Sequence, residues 1–183
     1  MSTDAALRPD VDASEPKPTR SAMMPRPPAR PAPGAALHSI SGATAVLLGL
    51  VAIGALLHEP VLIPPLAASA ALVHSAPSLP LSQPRSVIIG HLLGALVGFG
   101  VLAAVGSSAW AAALAAGITL AANIMARTPH SPACATAVVI VLQTPDLVRF
   151  LPLLLGASVL LVLTGYAASR MRRGATKYPA YWW

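Results

Sequence analysis

Residues 76–98 read APSLPLSQPRSVIIGHLLGALVG. The first nine form a proline-studded polar loop, Arg85 follows, and the remainder is apolar with Gly90, Gly94 and Gly98 at intervals of four. Four residues is a little over one helical turn, so the three glycines line one face of a helix. A glycine face on an apolar helix serves close helix–helix approach where no hydrophobic force drives association, which is the situation inside a lipid bilayer.

The rest of the chain has the same character. Of 183 residues, 55% are hydrophobic and only 10% charged, against roughly a quarter charged in an ordinary soluble domain. Between Ser39 and Ser169 the fully charged residues are Glu59, Arg85, Arg127, Asp146 and Arg149, each between apolar runs and none inside one. A bilayer interior imposes this pattern, because a charge at its centre costs at least ~2.5 to 3.5 kcal/mol on insertion scales. The net charge of +6 would point to nucleic acid if it formed a patch on a soluble domain. Here the basic residues sit in tails and loops, so nucleic acid is not expected and the bilayer is the expected partner. A single cysteine, Cys134, excludes an internal disulfide and any multi-cysteine metal motif.

Residues 1–38, with runs such as KPTRSAMMPRPPARPAPG, are too rich in proline and polar residues to bury a core and are expected to be disordered. Arg26 and Arg30, close to the first span, mark a cytoplasmic N-terminus. The first apolar run starts too far from Met1 for a secretory signal. Six apolar segments follow: 39–57, 61–75, 86–106, 109–126, 132–143 and 150–169. Four approach the ~20 residues of a spanning helix, whereas the second and fifth are short, about 18 Å of helix against ~30 Å of hydrocarbon. Both short segments begin at proline, in IPPLAASAALV and HSPACATAVVI. Residues 170–183 make a basic, aromatic tail ending YPAYWW, which would rest in the membrane interface.

Superposing Pro65 on Pro132 carries Ala68 onto Ala135, Ser69 onto Thr136 and Ala70 onto Ala137, and the same shift of 67 carries Gly98 and Phe99 onto Gly165 and Tyr166. The expected fold is therefore all-α: a polytopic membrane helix bundle of two long-short-long repeats. Repeats of three crossings run in opposite senses, as in many secondary transporters. With six crossings, Arg85, Arg127 and the C-terminal Arg170, Arg172, Arg173 and Lys177 lie inside with the N-terminus and only Arg149 lies outside. With four crossings and two re-entrant segments, Arg85, Arg127 and Arg149 all lie outside. The positive-inside rule favours six. Both topologies put the two termini in the cytoplasm, and a bacterial inner membrane is the simplest location for such a chain.

The opening stretch resembles the signature of the HPP family of small integral membrane proteins, in which an A-P-x-x-P-L-x-Q-P-R loop leads into a G-H-L helix. RTPHSPACATA, residues 127–137, stands where that family carries its His-Pro-Pro-Ala-Gly-Ala-Thr-Ala motif. Ser131 replaces the middle proline and Cys134 the glycine. The resemblance covers about residues 40–169. It implies four transmembrane helices, against the six counted above, and it implies nitrite as a candidate substrate, since members in plastids and cyanobacteria are associated with nitrite transport.

A proline-started helix inside a membrane presents its first N–H groups and the positive end of its dipole, the elements of an anion site without a buried cation. The expected donors are the backbone around Leu66, Ala67 and Ala68 and around Ala133, Cys134 and Ala135. Ser69 and Thr136 would add hydroxyl donors or else bond carbonyls one turn back. Arg85 would draw an anion to the pore mouth or bind carbonyls that hold the QPR turn. Arg127 and His130 would form the corresponding approach to the second short helix, or else be a topological arginine and an interfacial histidine. His91, an ionisable group in a long span, is a functional candidate or a hydrogen-bonding strut. Gly90, Gly94 and Gly98 are packing residues, and Ser41, Ala45 and Gly49 form a similar face on the first span. Whether those faces meet within one chain or between copies in a homo-oligomer is open. Asn123 is expected to glue helices together. His38, His58 and His74 lack metal-ligand spacing and carry no assignment.

No catalytic carboxylate pair, nucleophile–base pair, phosphate loop or metal cluster is visible, so the chain is not expected to be an enzyme or to hold a metal or cofactor. The leading expectation is a transporter or channel for a small inorganic monovalent anion. The alternative is a non-transporting scaffold that uses its glycine faces and basic, proline-rich tail to bind partners.

Overall fold

The structure is a computed structural model and describes residues 29–172 and 174–182. The tail expected to be disordered lies, up to residue 28, outside those residues. The described residues hold six α-helices: α1 Pro33–Leu57, α2 Pro64–Ser75, α3 Pro84–Val105, α4 Ala109–Met125, α5 Ser131–Gln143 and α6 Leu147–Met171. They match the six apolar segments within a few residues at most ends. α1 is the main difference. It starts at Pro33 rather than Ser39, because Pro33 at the first helical position leads directly into GAALH.

The helix ends follow from local chemistry. Ser108 caps α4 by accepting from Ala111 N at 3.0 Å, and Asp146 caps α6 by accepting from Arg149 N at 2.9 Å. α1 and α5 stop at residues of positive φ, His58 at 54° and Thr144 at 47°. Proline starts α2, α3 and α5 at one of their first two positions.

Polarity is distributed inside out. Leu48, Leu56, Leu96, Trp110, Ile124, Met125 and Val148 are among the large apolar residues on the outside, while Ser69, Gln83, His91, Thr119, Asn123, His130 and Thr136 are buried. Water would reverse this arrangement, whereas lipid favours it. α1, α3 and α6 are each long and apolar enough to span a membrane. The protein is a helical membrane bundle.

Side-chain contacts fix the directions of the helices. A Cβ at Gly54 would meet the Glu59 carbonyl and Val61, and one at Gly42 would meet the His74 ring, so α2 returns antiparallel along α1. Arg149 bonds Glu59 at 2.8 Å at one end of α6 and Ala168 O accepts from His38 Nε2 at 3.0 Å at the other, so α6 is also antiparallel to α1. α3 and α5 run parallel, with Gly90, Gly94 and Gly98 against His130, Ala133 and Ala137. The six segments therefore alternate in direction between a terminal end, where α1 starts and α6 stops, and a far end holding Glu59, Asp146 and Arg149. Each short helix has an extended lead-in, with Val61 and Ile63 buried before α2 and Thr128 and His130 buried before α5.

Two apolar clusters make most of the core. Val46, Leu50, Val61, Ile63, Leu66, Leu154, Ala157 and Leu161 join α1, α2 and α6 and reach Ala95 of α3 and Ile140 of α5, and Val101, Ala111, Ala112, Ala115, Ala137 and Val141 join α3, α4 and α5. The glycine stripe of α3 meets α5 of the same chain. A Cβ on Gly94 would run into the Ala133 carbonyl. Within the chain the close approaches of α1 are made by Gly42 and Gly54, while Ser41 and Ala45 of the expected small-residue face are exposed.

In the C-terminal tail, Tyr181 and Trp182 are exposed but Tyr178 is drawn into the bundle. Tyr178 is only 2% exposed and packs with Val73, Val87 and Val162. Ser169 Oγ donates to Tyr178 O at 3.2 Å, and Gln83 Oε1 accepts from Ala180 N at 2.9 Å. Burial pushes the Tyr178 phenol well above its ordinary pKa. Gln83 also donates through Nε2 to Pro77 O and Leu79 O, both at 2.9 Å. One amide thus holds the polar loop and the tail together.

Candidate functional site

The polar residues in the middle of the bundle form one connected group. His91 lies two turns into α3, at the level of Gly90 and Gly94, where the absence of side chains lets α5 and its lead-in come against α3. A Cβ on Gly90 would stand 2.7 Å from His130 Cβ. His130 is the residue before α5 and keeps an extended backbone, φ −154° and ψ 91°, which directs its ring inward. The two rings meet edge to face with centroids 4.7 Å apart.

Ser69 of α2 lies against both rings. Its Oγ is 2.8 Å from His91 Nε2 and 2.9 Å from His130 Nε2, and the two Nε2 atoms are 3.2 Å apart. On the other side of His91, Nδ1 is 2.8 Å from Thr136 Oγ1 of α5. His130 Nδ1 is 2.8 Å from Leu81 O, in the loop before α3. Ser69, His91 and Thr136 have no exposed surface and His130 has 2%. Four residues from α2, α3, the α5 lead-in and α5 thus close into a buried hydrogen-bonded chain.

The Leu81 carbonyl is an acceptor only, so His130 Nδ1 carries the proton and, in the neutral ring, Nε2 is a bare acceptor. Two bare Nε2 atoms at 3.2 Å would repel. His91 therefore holds its proton on Nε2 and accepts at Nδ1 from the Thr136 hydroxyl. Read in order, Thr136 donates to His91, His91 to Ser69, Ser69 to His130 and His130 to Leu81 O. Pro65 O, 3.0 Å from Ser69 Oγ, and Pro132 O, 3.4 Å from Thr136 Oγ1, offer each hydroxyl a second acceptor. These are the one-turn-back carbonyls anticipated for both hydroxyls.

Four of the expected site residues, Ser69, His91, His130 and Thr136, come together in this way. The backbone donors expected beside them do not. Pro64 and Pro65 have no N–H, and the next groups, Leu66 N and Ala67 N, both bond Ile63 O, at 3.0 and 3.4 Å. Ala133 N bonds His130 O at 3.0 Å. Nor do the two helix starts face one another: α2 enters from the far end and α5 from the terminal end, and they pass side by side at Ser69 and Thr136. The expected paired helix-start site is thus replaced by a side-chain site one and a half turns further along each helix. Ala68 is exposed and Ala67 and Cys134 are half-buried, so none of the three is part of the centre.

Arg85 takes the anchoring role of the two considered for it. Its Nη2 donates to Ala126 O at 3.0 Å, the carbonyl just past the end of α4, where a cation also complements the helix dipole. Arg127 is exposed, with φ 55°. Asn123 works locally, accepting from Thr128 Oγ1 at 3.2 Å. Its Nδ2 and the hydroxyl of Thr119, one turn earlier on α4, are buried without a partner among the described residues. Sequence reasoning missed the Leu81 carbonyl and the Gln83 bridge, because backbone acceptors and loop-to-tail contacts leave no periodic signal. His38 and His74, given no assignment, bond Ala168 O and pack on Gly42 at the terminal end.

Comparison with known proteins agrees with this fold. The family model described as "HPP, transmembrane region" matches residues 28–179. Two Dictyostelium discoideum proteins, each described as a transmembrane protein, are similar. One is 35% identical over 132 residues, 67% of this chain and 46% of the relative, and the other is 32% identical over 126 residues, 64% and 40% respectively. The chain thus spans less than half the length of these curated relatives. No solved structure matches. With the family model covering the whole helical bundle, the chain belongs to the HPP family of transmembrane proteins.

Proposed function

We propose that this protein is a transporter, not an enzyme, and that it carries a small monovalent anion past the Ser69–His91–His130–Thr136 centre, with nitrite as the candidate substrate the resemblance implies. The observation that carries the reading is the convergence of hydrogen-bonding side chains from both halves of the sequence on one buried point of the bundle. Ionisable and polar groups inside a membrane are costly, and their usual use is a substrate or ion path. The centre contains hydroxyls and imidazoles and no carboxylate, so nothing in it repels an anion.

An inverted repeat with alternating access fits this reading. Val73 and Ile140 are 67 residues apart, as are Gly98 and Gly165. Gly98 packs against Ile140 and Gly165 against Val73, so the last long helix of each half contacts the short helix of the other in matching fashion. The centre is closed towards both ends, as an occluded state would be, and movement of the α1–α2–α6 group against the α3–α4–α5 group would open it. The charges support a cytoplasmic terminal end: Arg85, Arg127, Arg170, Arg172 and Lys177 belong to it and Arg149 to the other. A bacterial-type inner membrane is the setting in which that orientation is read.

The test is flux of nitrite, nitrate, formate and chloride into proteoliposomes of the purified chain. Selective flux that falls at least tenfold in both Ser69→Ala and Thr136→Val supports the reading. No flux of any anion, from protein shown to be folded and inserted, rejects it.

A further inference from the structure

We infer that the His91–His130 pair binds one proton together with each anion, making the transport an electroneutral proton–anion symport. The inference rests on the anion reading above and adds the coupling ion and its stoichiometry.

The geometry of the chain of hydrogen bonds supplies the first step. In the neutral arrangement every proton between Thr136 and Leu81 has one donor and one acceptor. An added proton has a defined route and place: as it arrives on Thr136 Oγ1, Thr136 passes its own proton to His91 Nδ1 and His91 passes its Nε2 proton across 3.2 Å to His130 Nε2. The bare His91 Nε2 then accepts from His130, His91 Nδ1–H donates to Thr136 Oγ1, Thr136 donates to Pro132 O, and the Ser69 hydroxyl turns from His130 to Pro65 O. Each transfer follows an existing hydrogen bond, the hydroxyls only turn, and no heavy atom need leave its position. The pair takes one proton and not two, since two imidazolium rings with centroids 4.7 Å apart would repel in a dry interior.

The charge balance supplies the second step. A buried cation is strongly unfavourable without a partner, and this site has none of its own. The groups around the pair are Ser69 from α2, the Leu81 carbonyl from the loop, Asn123 from α4 and Thr136 from α5, all uncharged. On α3, Arg85 is tied to Ala126 O. Cys134 on α5 is a half-buried thiol, and His74 lies at the other end of α2, against Gly42. Among the described residues the side-chain carboxylates are Glu59 and Asp146, both at the far end, where Glu59 pairs with Arg149 and Asp146 caps α6. A monovalent anion is thus the missing counter-charge. Proton and anion each lower the cost of bringing in the other, and their sum crosses without net charge.

The experiment uses the full chain in proteoliposomes, with nitrite and nitrate as probes and protein-free vesicles to subtract leak of nitrous acid. Anion uptake is measured under an inward proton gradient with the membrane potential clamped at zero, and separately under imposed potentials of either sign without a proton gradient. Symport requires uptake to rise several-fold with the proton gradient, to ignore the potential, and to alkalinise the outside by one proton per anion. In His91→Gln and His130→Gln, checked for monodispersity, the response to the proton gradient should disappear. Wild-type uptake that follows the potential and ignores the proton gradient would overturn the inference while leaving the anion reading intact. Absence of uptake of every anion would overturn both.

Discussion

The two short helices share a sequence pattern and differ in what it does. Under the shift of 67, IPPLAAS at the start of α2 meets HSPACAT at the start of α5. α2 opens with Ile63 in a dry cluster with Leu50, Leu66, Leu154 and Leu161. Two prolines remove its first N–H groups and Ile63 O takes the next two. α5 opens with His130, whose ring joins the buried centre, and has only one proline. Likewise His91 on α3 corresponds to Ser158 on α6, a buried hydroxyl that donates to Leu154 O at 2.8 Å. One pattern thus builds both helices, but the imidazoles stand at one pair of equivalent positions and not at the other. Helix starts and glycine contacts can be shared by both halves, because packing needs only shape. A hydrogen-bonded centre needs particular atoms in one place, and a single copy suffices.

The largest effect in this comparison should come from the glycines. Gly94→Val drives a side chain into the Ala133 carbonyl, backbone that cannot yield, and should cost about 3 kcal/mol, the upper part of the usual range for overpacking. Gly165→Val, which meets Val73 and Tyr178, should be damaging too but less so, because its neighbours are side chains. Gly49→Val, with open space around it, should be neutral. Thermal unfolding in detergent orders the three, and a Gly49 variant as unstable as the Gly94 variant would contradict the packing described.

Exchanging the helix starts tests the chemical half of the contrast. His130→Ile copies α2 into α5. It removes one of the partners of Ser69 Oγ and the side-chain partner of Leu81 O, with an expected loss of about 1–3 kcal/mol for the buried carbonyl left unpaired and of at least tenfold in anion flux. Ile63→His places an imidazole among leucines without a partner, at a similar cost in stability, and leaves the centre intact. If both variants lost flux equally while folded, the difference between the halves would not lie at these residues.

The sequence shows the fold far better than the site. The helices are legible because lipid demands apolar runs and close packing demands small residues, and both demands recur with a period. Six segments, the prolines at helix starts and the α3 glycine face follow from that. The site depends on where two helices pass one another, which no single helix encodes. Proline at a helix start suggests free backbone donors, but in α2 two prolines and Ile63 O consume them, and only the three-dimensional arrangement brings Ser69 to His91 rather than to lipid. The tail illustrates the same limit. YPAYWW has the composition of an interfacial anchor, yet Tyr178 is drawn into the gap beside Gly165 and held there through Gln83. Gln83→Ala should release it, at a cost of about 1–3 kcal/mol for the unpaired groups left behind, and limited proteolysis near residue 176 should then cut faster.

The smallest effect concerns the position where this chain departs both from its own first half and from the family motif. Ser131 stands opposite Pro64, at the first position of α5, and is exposed. Its N–H falls among the groups a helix leaves unpaired, so proline removes nothing needed there. The preceding residue, His130, already has the extended backbone that proline demands of its neighbour. The sequence Pro64-Pro65 shows that two prolines can start a helix in this fold. Ser131→Pro should therefore stabilise the protein by about 0.4–1 kcal/mol, through reduced freedom of the unfolded chain, with anion flux unchanged. A destabilised variant would mean that the Ser131 N–H or hydroxyl has a partner in the membrane that Pro64 lacks, and the two helix starts would then differ at their first residue as well as at the histidine before it.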